Sequence, residues 1–186
     1  MRRWGLSVLG VLVVAGAAAS MAVASSASTT TVVKALEKNK VVINKYIQTG
    51  NRYSPGTVTV KSGSLLTFKF GDNEQDVHTL TIAPKSQLPH TVAQVNACNV
   101  CRLALAHLKN PTAPPGPSNP VVNWILHAGK PAANASAGLS VPGDSIAIES
   151  GGAHSQISIR VTAKPGTTLN FFCAVHPWMQ GKIKVT

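Results

Sequence analysis

From Lys40 onward, apolar and polar residues alternate in short runs, the period-two pattern of strands that bury one face. Residues 41–47 are rich in β-branched and aromatic side chains and run into the Gly50-Asn51 turn, which predicts a first strand. Tyr53-Ser54-Pro55-Gly56 predicts a turn. Val58 and Val60 then alternate with Thr57, Thr59 and Lys61, and Ser62-Gly63-Ser64 leads into the alternating Leu66-Thr67-Phe68-Lys69-Phe70, so a hairpin is expected. A polar loop over 71–75 opens onto a strand at 77–82, with His78 where the loop enters it. The pattern resumes at 145–149, 156–162, 169–173 and 182–185, with a Gly/Pro turn at 164–167. About eight short strands divided by such turns predict an all-β fold, an antiparallel Greek-key β-sandwich forming one domain over 40–186.

Residues 83–142 interrupt this pattern. Val92, Val95, Leu103, Leu105 and Leu108 are spaced helically between Pro89 and Pro111, predicting one helix over 91–110. Residues 111–120 hold five prolines and read as a stiff connector. Asn119-Pro120 would cap a second short helix through Trp124, Leu126 and His127, stopped at Gly129. The stretch is therefore expected as a partly helical insertion. Residues 25–39 read as a flexible lead-in, with a short helix over 32–39.

The N-terminus adds an address. Met1-Arg2-Arg3 precedes an apolar run over 4–23 and an Ala22-Val23-Ala24 site, the pattern of a secretory signal peptide over 1–24. The run approaches the length of a membrane span, so an uncleaved anchor is the alternative. Either way the remainder is expected outside the cytoplasm, in the periplasm, at the cell surface or secreted. The formal charge of +11 would steer it toward acidic partners or an anionic membrane surface. Nucleic acid is excluded as a partner, because export separates the chain from it and the basic residues are scattered.

The cysteines narrow the chemistry. Cys98 and Cys101 are the natural disulfide pair in an exported chain, leaving Cys173 free. A second metal site drawing on His90 or His107 is the other reading, though it lacks a second cysteine pair. Arg102 follows Cys101 where covalent haem attachment needs His. Cys173 itself opens Cys173-Ala174-Val175-His176-Pro177-Trp178-Met179, and Met179 is the only methionine beyond the signal segment. Thiolate, imidazole and thioether at this spacing supply three of the four ligands of a blue-copper site, which needs one more His. Cys173 ends one strand and Lys182 begins the next, so the intervening loop lies at one end of a sandwich. His78, at a strand start, can approach the same end, whereas His127 and His154 lie outside any motif and are expected on the surface. Zinc would accept the Cys and His but has no use for Met179.

These residues resemble the cupredoxin family. Its recurring parts stand in order: Tyr53-Ser54-Pro55, the segment Val58 to Gly63, His78-Thr79, and Cys173-x2-His176-x2-Met179 followed by Gly181-Lys182-Ile183-Lys184-Val185. The likeness covers 40–82 and 144–186, not the insertion, and the short C-terminal loop looks most like plastocyanin-like and amicyanin-like members. The resemblance implies one type 1 copper, with His78, Cys173 and His176 equatorial and Met179 axial. It further implies a one-electron carrier between redox partner proteins, with His176 as the electron port in an apolar patch made by Pro177 and Trp178, and Thr79 bonding around the sulfur. Val175 stands where amicyanin has a proline, so a backbone N–H is available near the sulfur. A copper delivery or storage protein is the rival reading. The chain has no H-x-H pair and no C-x3-C, as additional copper centres would require, so an enzyme is not expected.

Overall fold

Residues 30–71, 76–133 and 137–186 are described by a computed structural model, and the expected signal segment, with the lead-in as far as residue 29, lies outside them. The first described element corrects the sequence reading. Thr31–Leu36, expected within a flexible lead-in and a short helix, forms strand β1, with Val33 and Ala35 fully buried. Its alternating Val33, Lys34 and Ala35 fit a slot between β4 (Arg52–Ser54), which it meets antiparallel, and β6 (Leu65–Phe70), which it meets parallel. Those neighbours decide the conformation, not local helix propensity. The domain therefore begins before residue 40. Residues 41–47 belong instead to a separate hairpin, β2 (Asn39–Val42) and β3 (Tyr46–Thr49), which pairs with neither sheet and exposes Val41, Ile43 and Tyr46.

Two sheets form the sandwich. One runs β11 (Gln156–Arg160), β6, β1, β4. The other runs β5 (Thr57–Val60), β13 (Gln180–Val185), β12 (Thr168–Phe172), β7 (Val77–Ile82), β10 (Ser145–Glu149), β8 (Ile125–His127) and β9 (Lys130–Pro131). Pairing is antiparallel except at β1–β6 and β5–β13. The expected hairpin between Val58 and Phe70 does not form, because β5 and β6 lie in opposite sheets. The turn at Ser62 and Gly63 carries the chain across, its N–H groups donating to the carbonyls of Thr186 and Val161. Between the sheets lie Leu66, Phe68, Leu80, Ile146, Ile148, Ile159, Phe171 and Ile183, all fully buried. At ~1.5–3 kcal/mol for each large apolar side chain removed from water, this layer is the main source of stability.

The insertion follows the sequence reading only in part. The expected long helix is broken into α1 (Val92–Asn96), capped by Thr91 and Gln94, and α2 (Leu103–Ala106). Between them the Cys98–Cys101 disulfide closes a tight loop that a continuous helix could not follow. The helix expected from Asn119 is absent. Asn119 turns back instead, its Nδ2 donating to the carbonyls of Asn110, Ala113 and Pro114, and Ile125–His127 becomes strand β8 on the edge of β10.

Why the insertion matters follows from the two-residue period. Leu80, Ile82, Ile146 and Ile148 point into the sandwich, so Thr79, Thr81, Ser145 and Ala147 point out of it. That outer face would be wet in a bare sandwich. Here Leu108 and Val121 pack on Ala147, while Val100, Cys101 and Ala104 pack against the Phe172–Ala174 cluster, and both faces of β7 and β10 are buried.

Candidate metal centre

The C-terminal motif sits at the end of β12, just before the loop to β13. Cys173 follows the last residue of β12 and is fully buried, with its N–H bonded to the Met179 carbonyl. The Met179 N–H bonds in turn to the carbonyl of His176. This closes a compact loop from which His176 reaches back to Cys173, leaving its side chain 12% exposed. His78 comes from the second position of β7, opposite Ile148, and is fully buried.

The three side chains converge. Cys173 Sγ lies 3.8 Å from Nδ1 of His78 and 3.8 Å from Nδ1 of His176, and the two Nδ1 atoms are 3.2 Å apart. A point about 2.1 Å from all three atoms lies in their plane, a first-row metal–nitrogen bond length and about 0.2 Å short of a zinc–thiolate one. Met179 is buried in the same core cluster as Cys173.

The outer ring nitrogens explain why this triangle calls for a cation. Nε2 of His78 lies 3.2 Å from Oε1 of Glu37, and Nε2 of His176 lies 3.1 Å from Oδ2 of Asp76. A carboxylate only accepts, so each imidazole carries its hydrogen on Nε2 and turns a lone pair inward at Nδ1. Two nitrogen lone pairs and a sulfur then face one another in a dry pocket, an arrangement that a positive ion at their centre stabilises. The residues present fit copper. A carboxylate behind each histidine is also what orients a metal-bound imidazole. Sequence reasoning missed both carboxylates, since nothing in the spacing of Glu37 and Asp76 marks them as neighbours of the histidines.

Burial pushes the Cys173 thiol up, opposed by the nearby backbone N–H groups of Thr79, His176 and Val175 and by the polar Thr79 side chain. The Thr79 N–H donates to Sγ at 3.3 Å, and its hydroxyl accepts the Ala174 N–H at 2.8 Å. Burial pushes the His78 pKa down, helped by His176 and opposed by Glu37 and Asp76. Tyr53, whose hydroxyl donates to the Thr79 carbonyl, is held well above its ordinary value by burial and by Cys173. The pocket thus disfavours added protons on His78 and a bare thiolate on Cys173. A metal cation resolves both, taking the proton's place on sulfur and the lone pairs on nitrogen.

A two-sheet sandwich in which a His from β7 meets a Cys-x2-His loop between β12 and β13 decides the architecture. The fold is of the cupredoxin type. No family model matches the chain, and no curated protein matches it. Among solved structures it is similar to a purple cupredoxin from Nitrosopumilus maritimus, at 12% identity over 84% of this chain and 99% of that one, with a TM-score of 0.41. A dithionite-reduced auracyanin from Roseiflexus castenholzii is 17% identical over 86% of this chain and 98% of that one, with a TM-score of 0.41. A plastocyanin from Dryopteris crassirhizoma is 13% identical over 83% of this chain and 99% of that one, with a TM-score of 0.40.

The remaining histidines divide. His127 is on the surface as expected, 47% exposed and paired with Asp144 at 2.8 Å. His154 is half-buried, stacked on Trp124 at 3.9 Å between ring centres. His90 is exposed, and His107 is buried under the insertion. With Cys98 and Cys101 bonded to each other, neither offers a thiolate for a second metal. Around His176 the exposed apolar residues are Val175 and Trp178, whose ring stands edge-on to the imidazole at 5.5 Å. Pro177, expected in that patch, is buried. Among the described residues no helix is long and apolar enough to cross a membrane.

Proposed function

We propose that the chain is a mononuclear type 1 copper protein that carries one electron at a time between redox partners outside the cytoplasm. The observation that carries this reading is the convergence of Cys173 Sγ with the two Nδ1 lone pairs of His78 and His176, each tautomer held by its own carboxylate. His78, Cys173 and His176 are the equatorial ligands and Met179, buried beside them, is the axial one. Soft sulfur with imidazole selects against the hard cations, and the Met179 thioether favours copper over zinc. The reduced and oxidised metal would share one buried ligand set, which keeps reorganisation small. His176 is the port, because it alone of the three reaches the surface, between Val175 and Trp178. Excess positive charge favours an acidic partner, and the Cys98–Cys101 disulfide suits the oxidising compartment that the N-terminal run points to.

The test is to add Cu(II) to the chain lacking residues 1–24 and record visible and electron-paramagnetic spectra beside those of Cys173→Ser. The wild type is expected to show an intense copper–thiolate band that the variant lacks, and a reversible one-electron couple. A colourless wild type would sink the assignment. A protein that binds only Cu(I) and surrenders it to a chelating partner would favour copper delivery instead.

A further inference from the structure

The insertion supplies one buried histidine that the sandwich does not. His107 follows α2, is 1% exposed, and has both ring nitrogens engaged. Nδ1 meets the carbonyl of Asn123, and Nε2 lies 2.8 Å from Oγ of Ser145. A carbonyl can only accept, so Nδ1 carries the hydrogen. Burial, partly opposed by that bond, pulls the ring down to about 4, so it is neutral near neutral pH and Nε2 offers a lone pair. The Ser145 hydroxyl must donate to it.

From Ser145 the same accounting runs inward. Ser145 Oγ is 2.7 Å from Oγ1 of Thr81, which is 2.9 Å from Oγ1 of Thr79, and all three residues are buried. Each hydroxyl has a single hydrogen. Ser145 gives its own to His107 and so accepts from Thr81, and Thr81, having given its own to Ser145, accepts from Thr79. The Thr79 hydroxyl accepts in turn from the N–H of Ala174. Every hydrogen in the chain points the same way, from the residue after Cys173 out to the insertion. The opposite polarity would leave Nε2 of His107 buried without a donor, at a cost of about 1–3 kcal/mol.

We propose that His107 is a positioning residue for the copper centre: by accepting at Nε2 it sets the direction of the Ser145–Thr81–Thr79 relay and holds the Thr79 hydroxyl hydrogen away from the Cys173 sulfur. Thr79 is the pivot. Its N–H donates to that sulfur at 3.3 Å and its hydroxyl accepts the N–H of the residue after Cys173 at 2.8 Å, which sets the hydroxyl beside the ligand, yet its hydrogen goes to Thr81. A hydrogen bond given to a copper-bound thiolate draws electron density off the sulfur and favours the reduced metal. The relay therefore leaves the sulfur one bond short and lowers the reduction potential. This rests on the copper reading above.

The test uses Thr81→Val, which keeps the shape but removes the acceptor for Thr79, with Ser145→Ala and His107→Gln beside it. Protein-film voltammetry of the copper-loaded proteins is expected to show Thr81→Val and Ser145→Ala shifted toward Cu(I) by up to about tenfold, or ~59 mV for one electron. With Thr79→Val as background, Thr81→Val should add no shift. Nitrogen NMR of the wild type, without metal and with Cu(I), should show His107 neutral with its hydrogen on Nδ1. The Nε2–H tautomer, or a blue wild type whose potential is unmoved by Thr81→Val, overturns the relay alone. A wild type that takes up no copper overturns both readings.

Discussion

Oε1 of Glu37 lies 3.2 Å from Nε2 of His78, which joins the segment leaving β1 to the fully buried imidazole of the metal centre. A strand that the sequence pattern left outside the domain thus leads directly into the residue behind a candidate ligand. The carboxylate fixes the tautomer and adds electron density to the ring. Glu37→Gln keeps an acceptor but removes the charge, and about tenfold weaker Cu(II) binding is expected, rising toward 100-fold for Glu37→Ala. Competition titration with a chelator of known affinity measures it. Unchanged affinity in both variants would show that the carboxylate is a bystander.

His107 gives the fold a pH dependence whose sign can be worked out. Its folded-state pKa of about 4 lies below the ordinary 6.5, so between these values the unfolded chain takes a proton that the folded chain refuses. Stability then falls as pH falls through that window, by about 3 kcal/mol in all, and is unaffected by this residue above it. Urea unfolding of wild type and His107→Gln, followed from neutral pH to about 4, should show the shallower loss in the variant. Parallel curves would rule His107 out as the source.

Asp144 ties the two ends of the β8–β10 connection together. It is fully buried, with Oδ1 accepting the Ala128 N–H at 3.0 Å and Oδ2 accepting the N–H groups of Ser140 and Val141 at 2.7 and 2.8 Å. Asp144→Ala strands these donors and is expected to cost about 3 kcal/mol, whereas His127→Ala, which removes only the half-exposed partner, should cost under about 1 kcal/mol. Denaturant midpoints of the two variants decide it, and equal losses would contradict this division.

Gly181 stands opposite Phe171 in the β12–β13 ladder. A Cβ there would sit 2.3 Å from the Phe171 ring and 2.7 Å from the Gly56 carbonyl, so the strand must be bare at this point. Gly181→Ala is expected to lower stability by about 1–3 kcal/mol in thermal or denaturant unfolding. A neutral result would mean that β5 and β13 separate more easily than their packing indicates.

What the sequence made legible was local. Cys173, His176 and Met179 are bound by spacing within one loop, and the strands around them by simple alternation, so both could be read without the fold. His78 needed one long-range step, from a strand start to the loop between two later strands. Glu37 and Asp76 needed two such steps and left no mark, because an acidic residue beside a turn looks the same whether it faces water or an imidazole. Residues 31–36 were misread for a related reason: the slot between β4 and β6 that makes them a strand is built from sequence they do not contain. In the insertion, helical spacing over 91–110 was real, but the Cys98–Cys101 bond and the outer face of β7 and β10 cut it into pieces. Residues 125–127 had no strand pattern of their own and took one from β10.

The insertion also decides where the larger sheet stops. Without β8 and β9, its last strand would be β10, five residues long with Ser145, Ile146, Ala147 and Ile148 all of the buried kind, presenting a row of unpaired backbone groups. With them the row passes to β9, two residues ending in Pro131, which has no N–H to offer a further strand. The segment that covers the outer face of β7 and β10 therefore also closes a sheet edge, and shortening it would leave the rim of β10 unpaired.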